Sequence, residues 1–156
     1  MIKIEEISMK NLILTIIISF VASTSFSAGT DSGSETNYGK EYKSAVKLIK
    51  KKKYENAIDK LMELVDVSSE DFTKADVLNE IGFAFRKSND FDNASTFYQL
   101  ALSADPSHLG ALEYQGEMFV DLGQKDNAVS NLNKIKDLAG EKSSYYKELD
   151  SYISTN

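Results

Sequence analysis

The chain of 156 residues carries 18 Lys and Arg against 24 Asp and Glu, a net charge of -6, with one His, one Pro and no Cys. That length suits one domain, and 42% hydrophobic with 10% aromatic residues suffices for a packed core. Absent cysteines exclude disulfides, thiolate zinc sites, iron–sulfur ligation and cysteine nucleophiles, and a lone His cannot supply a multi-histidine metal site.

The run from Leu12 to Ala22 is almost wholly apolar and follows Lys10. A membrane-spanning helix needs roughly 20 apolar residues, whereas ~7 to 15 followed by small residues describes a secretory signal. Ser25 and Ser27 stand three and one positions before a cut at Ser27-Ala28, so residues 1–27 are expected to be a cleaved signal peptide. Translation from Met9 would keep Lys10 while omitting Glu5 and Glu6. The expected location is periplasmic or secreted, and an uncleaved signal serving as a membrane anchor is the alternative. Lipid anchoring is excluded because no Cys follows the run. After cleavage no stable membrane span is expected.

Residues 28–37, AGTDSGSETN, hold no large apolar side chain and read as a flexible leader. Residues 38–156 are the expected folded domain. Cleavage removes two basic and two acidic side chains, leaving 16 against 22 and the same -6. An acidic domain of this kind repels phosphate backbones, so nucleic acid is not an expected partner. Lys50 to Lys53 fit a helix C-terminus, where the macrodipole favours cations.

Periodicity and break signals predict an all-α chain with helices at Glu41–Lys53, Tyr54–Val67, Asp71–Ser88, Phe91–Ala104, Ser107–Leu122 and Lys125–Ala139. Ser69-Glu70-Asp71 supplies a cap and two acids at the third helix start. Ser88-Asn89-Asp90 and Gly123-Gln124 are tight turns, and Asp105-Pro106-Ser107 stops one helix and caps the next. A seventh helix, Ser143–Ser154, has Tyr145, Leu149, Tyr152 and Ile153 on one face and would cap the last unit.

Three small-residue pairs organise these helices: Ala45 with Ala57, Gly82 with Ala94, and Gly116 with Ala128, each 12 positions apart. Small residues on facing helices permit close antiparallel packing. The second members are 37 and 34 positions apart, which indicates a 34-residue period with three extra residues after the first unit. Three residues after each first member stand Leu48, Phe85 and Phe119, and four after each second member stand Leu61, Tyr98 and Leu132. Their spacing makes them core.

The middle unit reads Leu78-x-x-Ile81-Gly82-x-x-Phe85, then Ala94-x-x-x-Tyr98, Ala101 and Asp105-Pro106. This pattern resembles tetratricopeptide repeats. The third unit shares it through Leu112, Gly116, Phe119, Ala128, Leu132 and Ile135, with Gly140 where the Pro would fall. The first keeps Ala45, Leu48, Tyr54, Ala57 and Leu61, but Glu41 and Ser44 replace usually bulky residues. The repeats span about 38–71, 75–108 and 109–140, and the segment from His108 through Gly123 also looks similar to small exported repeat proteins of alphaproteobacteria.

The resemblance implies an antiparallel helix-pair solenoid whose first helices line a concave surface. Carried onto this chain, its inner positions include Tyr42, Val46, Asn79, Phe83, Arg86, Lys87, Glu113, Glu117 and Asp121. Tyr42 and Phe83 offer aromatic contact, Asn79 can bond an extended backbone, and Arg86 can hold a carboxylate. Repeat domains that clamp a chaperone's C-terminal carboxylate need Lys, Asn and Arg where Tyr42, Val46, Gly110 and Tyr114 stand, so that binding mode is not expected. Glu113, Glu117 and Asp121 share a face and fit either a hard-cation site or, more commonly, a solvated acidic stripe. His108 reads as a surface turn residue rather than a general base. Asn93-Ala94-Ser95 matches a glycosylation pattern but includes core Ala94. No phosphate loop, nucleophile elbow or metal motif appears. The expectation is a non-catalytic, cofactor-free protein or peptide binder. A solute-binding cleft or an accessory subunit of an envelope-assembly complex is the alternative.

Overall fold

Asn37 opens the first helix by accepting the Lys40 N–H on its side-chain oxygen at 2.8 Å, which satisfies one of the amides left free at a helix start. The structure, a computed structural model, describes residues 36–156, which form one compact unit. The expected signal peptide, and residues 28–35 of the expected leader, lie outside the described residues.

Among the described residues there are seven helices: α1 (Tyr38–Lys50), α2 (Tyr54–Met62), α3 (Lys74–Lys87), α4 (Phe91–Ala104), α5 (Leu109–Asp121), α6 (Lys125–Ala139) and α7 (Ser144–Thr155). The pairs α1–α2, α3–α4 and α5–α6 pack together, α2 meets α3, α4 meets α5, and α7 lies on α5 and α6. First helices also touch one another, α1 with α3 and α3 with α5. This is an all-α helix-pair solenoid closed by a terminal helix.

Each helix pair turns by one device. Lys52, Asn89 and Gly123 have positive φ of 59°, 64° and 72°. Each stands seven residues after the first small residue of its unit, Ala45, Gly82 or Gly116. The next N–H then reaches back to the bulky repeat position: Lys53 to Leu48 at 2.9 Å, Asp90 to Phe85 at 2.9 Å, and Gln124 to Phe119 at 2.7 Å. These long-reach bonds close the orphan carbonyls at the helix end. They also end α1 at Lys50 rather than at Lys53.

Other helix limits differ from the sequence expectation for identifiable reasons. α1 starts at Tyr38 instead of Glu41 because Asn37 caps it. α2 stops at Met62, and Leu64 and Val67 then bond three residues back, to Leu61 and Leu64, as separate turns. α3 begins at Lys74 rather than Asp71. Thr73 and Asp76 form a full capping box, while the Asp71 N–H donates to Ser69 in a turn before it. α5 begins at Leu109 rather than Ser107, because the His108 ring accepts the Ala111 N–H at 3.0 Å.

The small residues sit where helices approach. Ala45, Ala57, Ala94, Ala101 and Ala128 are fully buried. A Cβ on Gly82 would lie 2.9 Å from the Tyr98 ring, and one on Gly116 would lie 2.6 Å from Leu149. Thus the two glycines admit a ring from α4 and a leucine from α7. The largest core group runs from Ala45 to Ala111 and includes Leu61, Leu64, Phe72, Leu78 and Ile81. Phe85 stacks on Phe97 at 5.4 Å. Leu112, Leu132, Ile135 and Leu149 form the seat of the terminal helix, joined by Tyr146 and Ile153, whereas Tyr145 is exposed. The apolar face of α7 therefore uses Tyr146 where the sequence expectation placed Tyr145. Phe119 packs beside Tyr98 and Met118, and Pro106 is exposed at the turn.

Candidate partner-binding surface

The first helices place corresponding positions side by side. Asp76, Asn79, Glu80, Phe83 and Lys87 lie along one face of α3, with helical spacings of three and four. Thirty-four residues later, Gly110, Glu113, Tyr114, Glu117 and Asp121 repeat that face on α5. Tyr42 and Val46 occupy the same face of α1 and are half-buried.

An aromatic strip crosses this surface. Tyr42 stacks on Phe72 with ring centroids 4.9 Å apart, and Phe83 meets Tyr114 at 4.7 Å. Lys87 lies 5.2 Å over the Phe83 ring. Of the expected partner-binding residues, the structure therefore leaves Tyr42 and Phe83 half-exposed and brings each against a second ring. Phe72 and Tyr114 are the companions that the repeat positions alone did not assign. Tyr114 was detectable by counting 34 residues on from Glu80.

Arg86 is different. It is 3% exposed, donates from Nε to Asp121 at 2.8 Å, pairs with Glu117, and reaches the Tyr152 hydroxyl at 3.1 Å. Tyr152 in turn donates to Asp121 at 2.6 Å and lies under the guanidinium at 5.4 Å. Burial alone lowers the Arg86 pKa, but its bonds to Asp121 and Glu117 reverse that and raise it. Arg86, expected to hold a partner's carboxylate, instead holds two carboxylates of its own chain. Glu117 and Asp121 consequently turn to Arg86 rather than to a cation position shared with Glu113.

Asn79 and Glu113, expected to be exposed on the inner surface, are each 4% exposed. Their neighbours, Gly110 and the ring pair, explain this, since small and flat groups let α3 and α5 lie close. The Asn79 side-chain nitrogen is 3.5 Å from where a Cβ on Gly110 would stand, and its Oδ1 has no hydrogen-bond partner. Glu113 has a carboxyl pushed up to about 8 by burial and by the charges of Glu117 and Glu148, with a proton shared toward Glu148. Glu80 is also raised, by burial and by Asp76, with His108 and Lys50 opposing. Tyr114 is raised to about 12 by burial and by the charges of Glu113, Glu80, Glu117 and Glu148.

His108 is no simple surface turn residue. Its Nδ1 caps α5, and its Nε2 stands 3.0 Å from Asp76 Oδ1, so Nε2 carries the proton when Nδ1 accepts. Burial raises the Asp76 pKa, but hydrogen bonds from the Thr73 N–H, the Thr73 hydroxyl and His108 outweigh it and hold the carboxyl low. The ring is committed to structure.

An open depression of ≈ 330 Å³ is walled by Arg86, Lys87, Asn89, Phe91, Asp121 and Tyr152. Its walls are largely polar, unlike those of enclosed small-molecule sites. Among the described residues no group of three or more His, Asp or Glu is arranged to hold a metal ion. Among the same residues no helix is long and apolar enough to cross a membrane.

Comparison with known proteins agrees with this architecture. Residues 75–108 match the tetratricopeptide repeat family model. The chain is similar in structure to PcrH, solved in complex with the chaperone binding region of PopB. The TM-score is 0.63 and the sequence identity 16%, and the match covers 79% of this chain and 96% of that chain. No curated protein matches significantly. The fold is a tetratricopeptide-type helical solenoid.

Proposed function

We propose that the protein is an exported, non-catalytic interaction module that holds an extended peptide or a helix of a protein partner on the concave side lined by its first helices. The aromatic strip carries this reading. Tyr42, Phe83 and Tyr114 are half-exposed rings on the face that the first helices of the three units share, with Tyr42 stacked on buried Phe72 and Phe83 in contact with Tyr114. Aromatic anchors of this kind dominate binding energies at protein interfaces. The complex of PcrH with a region of PopB supports the same class of partner. An open, polar-walled depression favours an extended partner over an enclosed solute. Export rests on the Leu12–Ala22 run and the small residues before Ala28.

Site-specific photo-crosslinking tests the surface. A crosslinker replacing Val46 on α1 is expected to trap a protein partner in cells, and one replacing Leu100 on α4 is expected not to. Trapping from position 100 alone would move the binding surface to the second helices. N-terminal sequencing of the protein from the periplasmic fraction is expected to begin at Ala28.

A further inference from the structure

The first-helix surface handles cations in one consistent way. Arg86 sits between Glu117 and Asp121 against the Tyr152 ring, and Lys87 lies over Phe83. These are the chain's own cations. One turn further toward the helix starts, carboxyls recur beside these rings without a paired Lys or Arg. Phe83 and Tyr114 are in ring contact, Glu80 and Glu113 flank them, and among the described residues neither carboxyl pairs with a Lys or Arg. Independently of the acids, the Asn79 side chain is 4% exposed, is directed at Gly110 of α5, and leaves Oδ1 without a donor. A buried acceptor without a donor is destabilising, and a donor-bearing ligand would relieve it. All three features ask for a cationic donor with an apolar stem.

Resting on the proposed peptide-binding reading, we propose that this surface selects a cationic peptide segment. A Lys or Arg side chain would lay its stem on the Tyr114 side of the Phe83–Tyr114 pair, beside Lys87, and place its charged head toward Glu80, Glu113 and Asn79 Oδ1. Long basic side chains suit such a seat because their methylenes cover apolar surface while the head stays solvated or paired. The net charge of -6 steers a cationic partner toward the protein. The raised carboxyl of Glu113 fits this picture. Its surroundings are Glu117 on its own helix, Glu148 on α7 and Arg86 on α3, and an arriving cation would displace its proton.

The test uses the purified full chain and four capped synthetic peptides of equal length, alternating Leu with Lys, Arg, Gln or Glu. Titration calorimetry is expected to show the Lys and Arg peptides binding at least about tenfold more tightly than the Gln peptide, with no binding of the Glu peptide. The Lys peptide should release protons near neutral pH, read as a dependence of the heat on buffer ionisation, and bind more tightly as pH rises toward 8. The paired change Glu80→Gln with Glu113→Gln should remove most of the Lys-over-Gln preference. Glu55→Gln on exposed α2 changes charge without touching the seat and should leave the preference intact. Circular dichroism confirms folding, and Glu113→Gln alone supplies the proton-release control if the pair is unstable.

Equal binding of Gln and Lys peptides that Phe83→Ala abolishes would keep the binding surface and overturn the cationic selection. No binding of any peptide, or binding insensitive to Phe83→Ala, would overturn both. A dimer dispersed by the Lys peptide would reassign the seat to Lys50–Lys53 of a second copy and overturn a separate partner.

Discussion

Arg86 Nε and Asp121 Oδ2 are 2.8 Å apart across 35 residues of sequence, and that bond ties the second helix pair to the third. The Arg86 side chain is 2% exposed and also engages Glu117 and Tyr152, so α3, α5 and α7 share one charged joint. Removing the cation leaves two carboxylates facing each other beside a tyrosine. Arg86→Ala is expected to destabilise the fold by about 3 kcal/mol, since breaking a buried pair strands its partners. Asp121 is partly exposed, which holds the loss at the lower end of the range. Arg86→Lys should lose much of the same stability because a point charge cannot fork between two acids. Urea unfolding midpoints measure both.

Leu149 occupies the space that Gly116 leaves open, with its methyl carbon 2.6 Å from the position of an added Cβ. Gly116→Ala alone should cost about 1–3 kcal/mol by displacing α7. Leu149→Ala alone should cost about 2–5 kcal/mol through the cavity it leaves in the seat of Leu112, Leu132 and Ile135. Together they should cost clearly less than their sum, because each relieves the other. Strict additivity in thermal unfolding would refute the contact.

Lys52 adopts φ 59°, the left-handed conformation that Gly123 takes at the matching turn of the third unit. A side chain there strains the backbone by about 1–2 kcal/mol, partly offset by the greater freedom of glycine in the unfolded chain. Lys52→Gly should therefore stabilise by about 0.5–1 kcal/mol, and Gly123→Ala should destabilise by about 1 kcal/mol. Denaturant midpoints at constant slope would show it.

Glu113 has a folded carboxyl raised to about 8, by burial first and then by Glu117 and Glu148, from an ordinary 4.5. The folded state then binds the proton more tightly than the unfolded chain. Stability from this group is fully present below about 4.5 and is lost as pH rises toward 8. Glu113→Gln should flatten the pH dependence in that window and stabilise the protein at pH 8 by on the order of 1 kcal/mol. Asp76 acts in the opposite sense. Its lowered carboxyl contributes stability above its unfolded value that is lost as pH falls.

The helix-pair architecture was legible in the sequence because packing leaves a periodic trace. Ala45, Gly82 and Gly116 recur where helices approach, and Leu48, Phe85 and Phe119 recur where each turn is closed. Helix starts were less legible. Thr73 and His108 cap α3 and α5 in competition with Ser69 and Ser107, and the choice depends on Asp76 bonding both Thr73 and His108 across 32 residues. The surface was half legible. Tyr42 and Phe83 follow from repeat position, but the burial of Arg86 depends on Asp121 and Tyr152 meeting it from two other helices. No local pattern encodes a meeting of that kind.

Aromatic-ring NMR during titration with the capped lysine–leucine peptide tests the binding surface most directly. Ring signals of Tyr42, Phe83 and Tyr114 are expected to shift together and saturate with one dissociation constant, while Tyr54 and Phe97, on α2 and α4, stay fixed. Shifts at Tyr54 and Phe97 with Tyr42, Phe83 and Tyr114 unmoved would contradict that expectation.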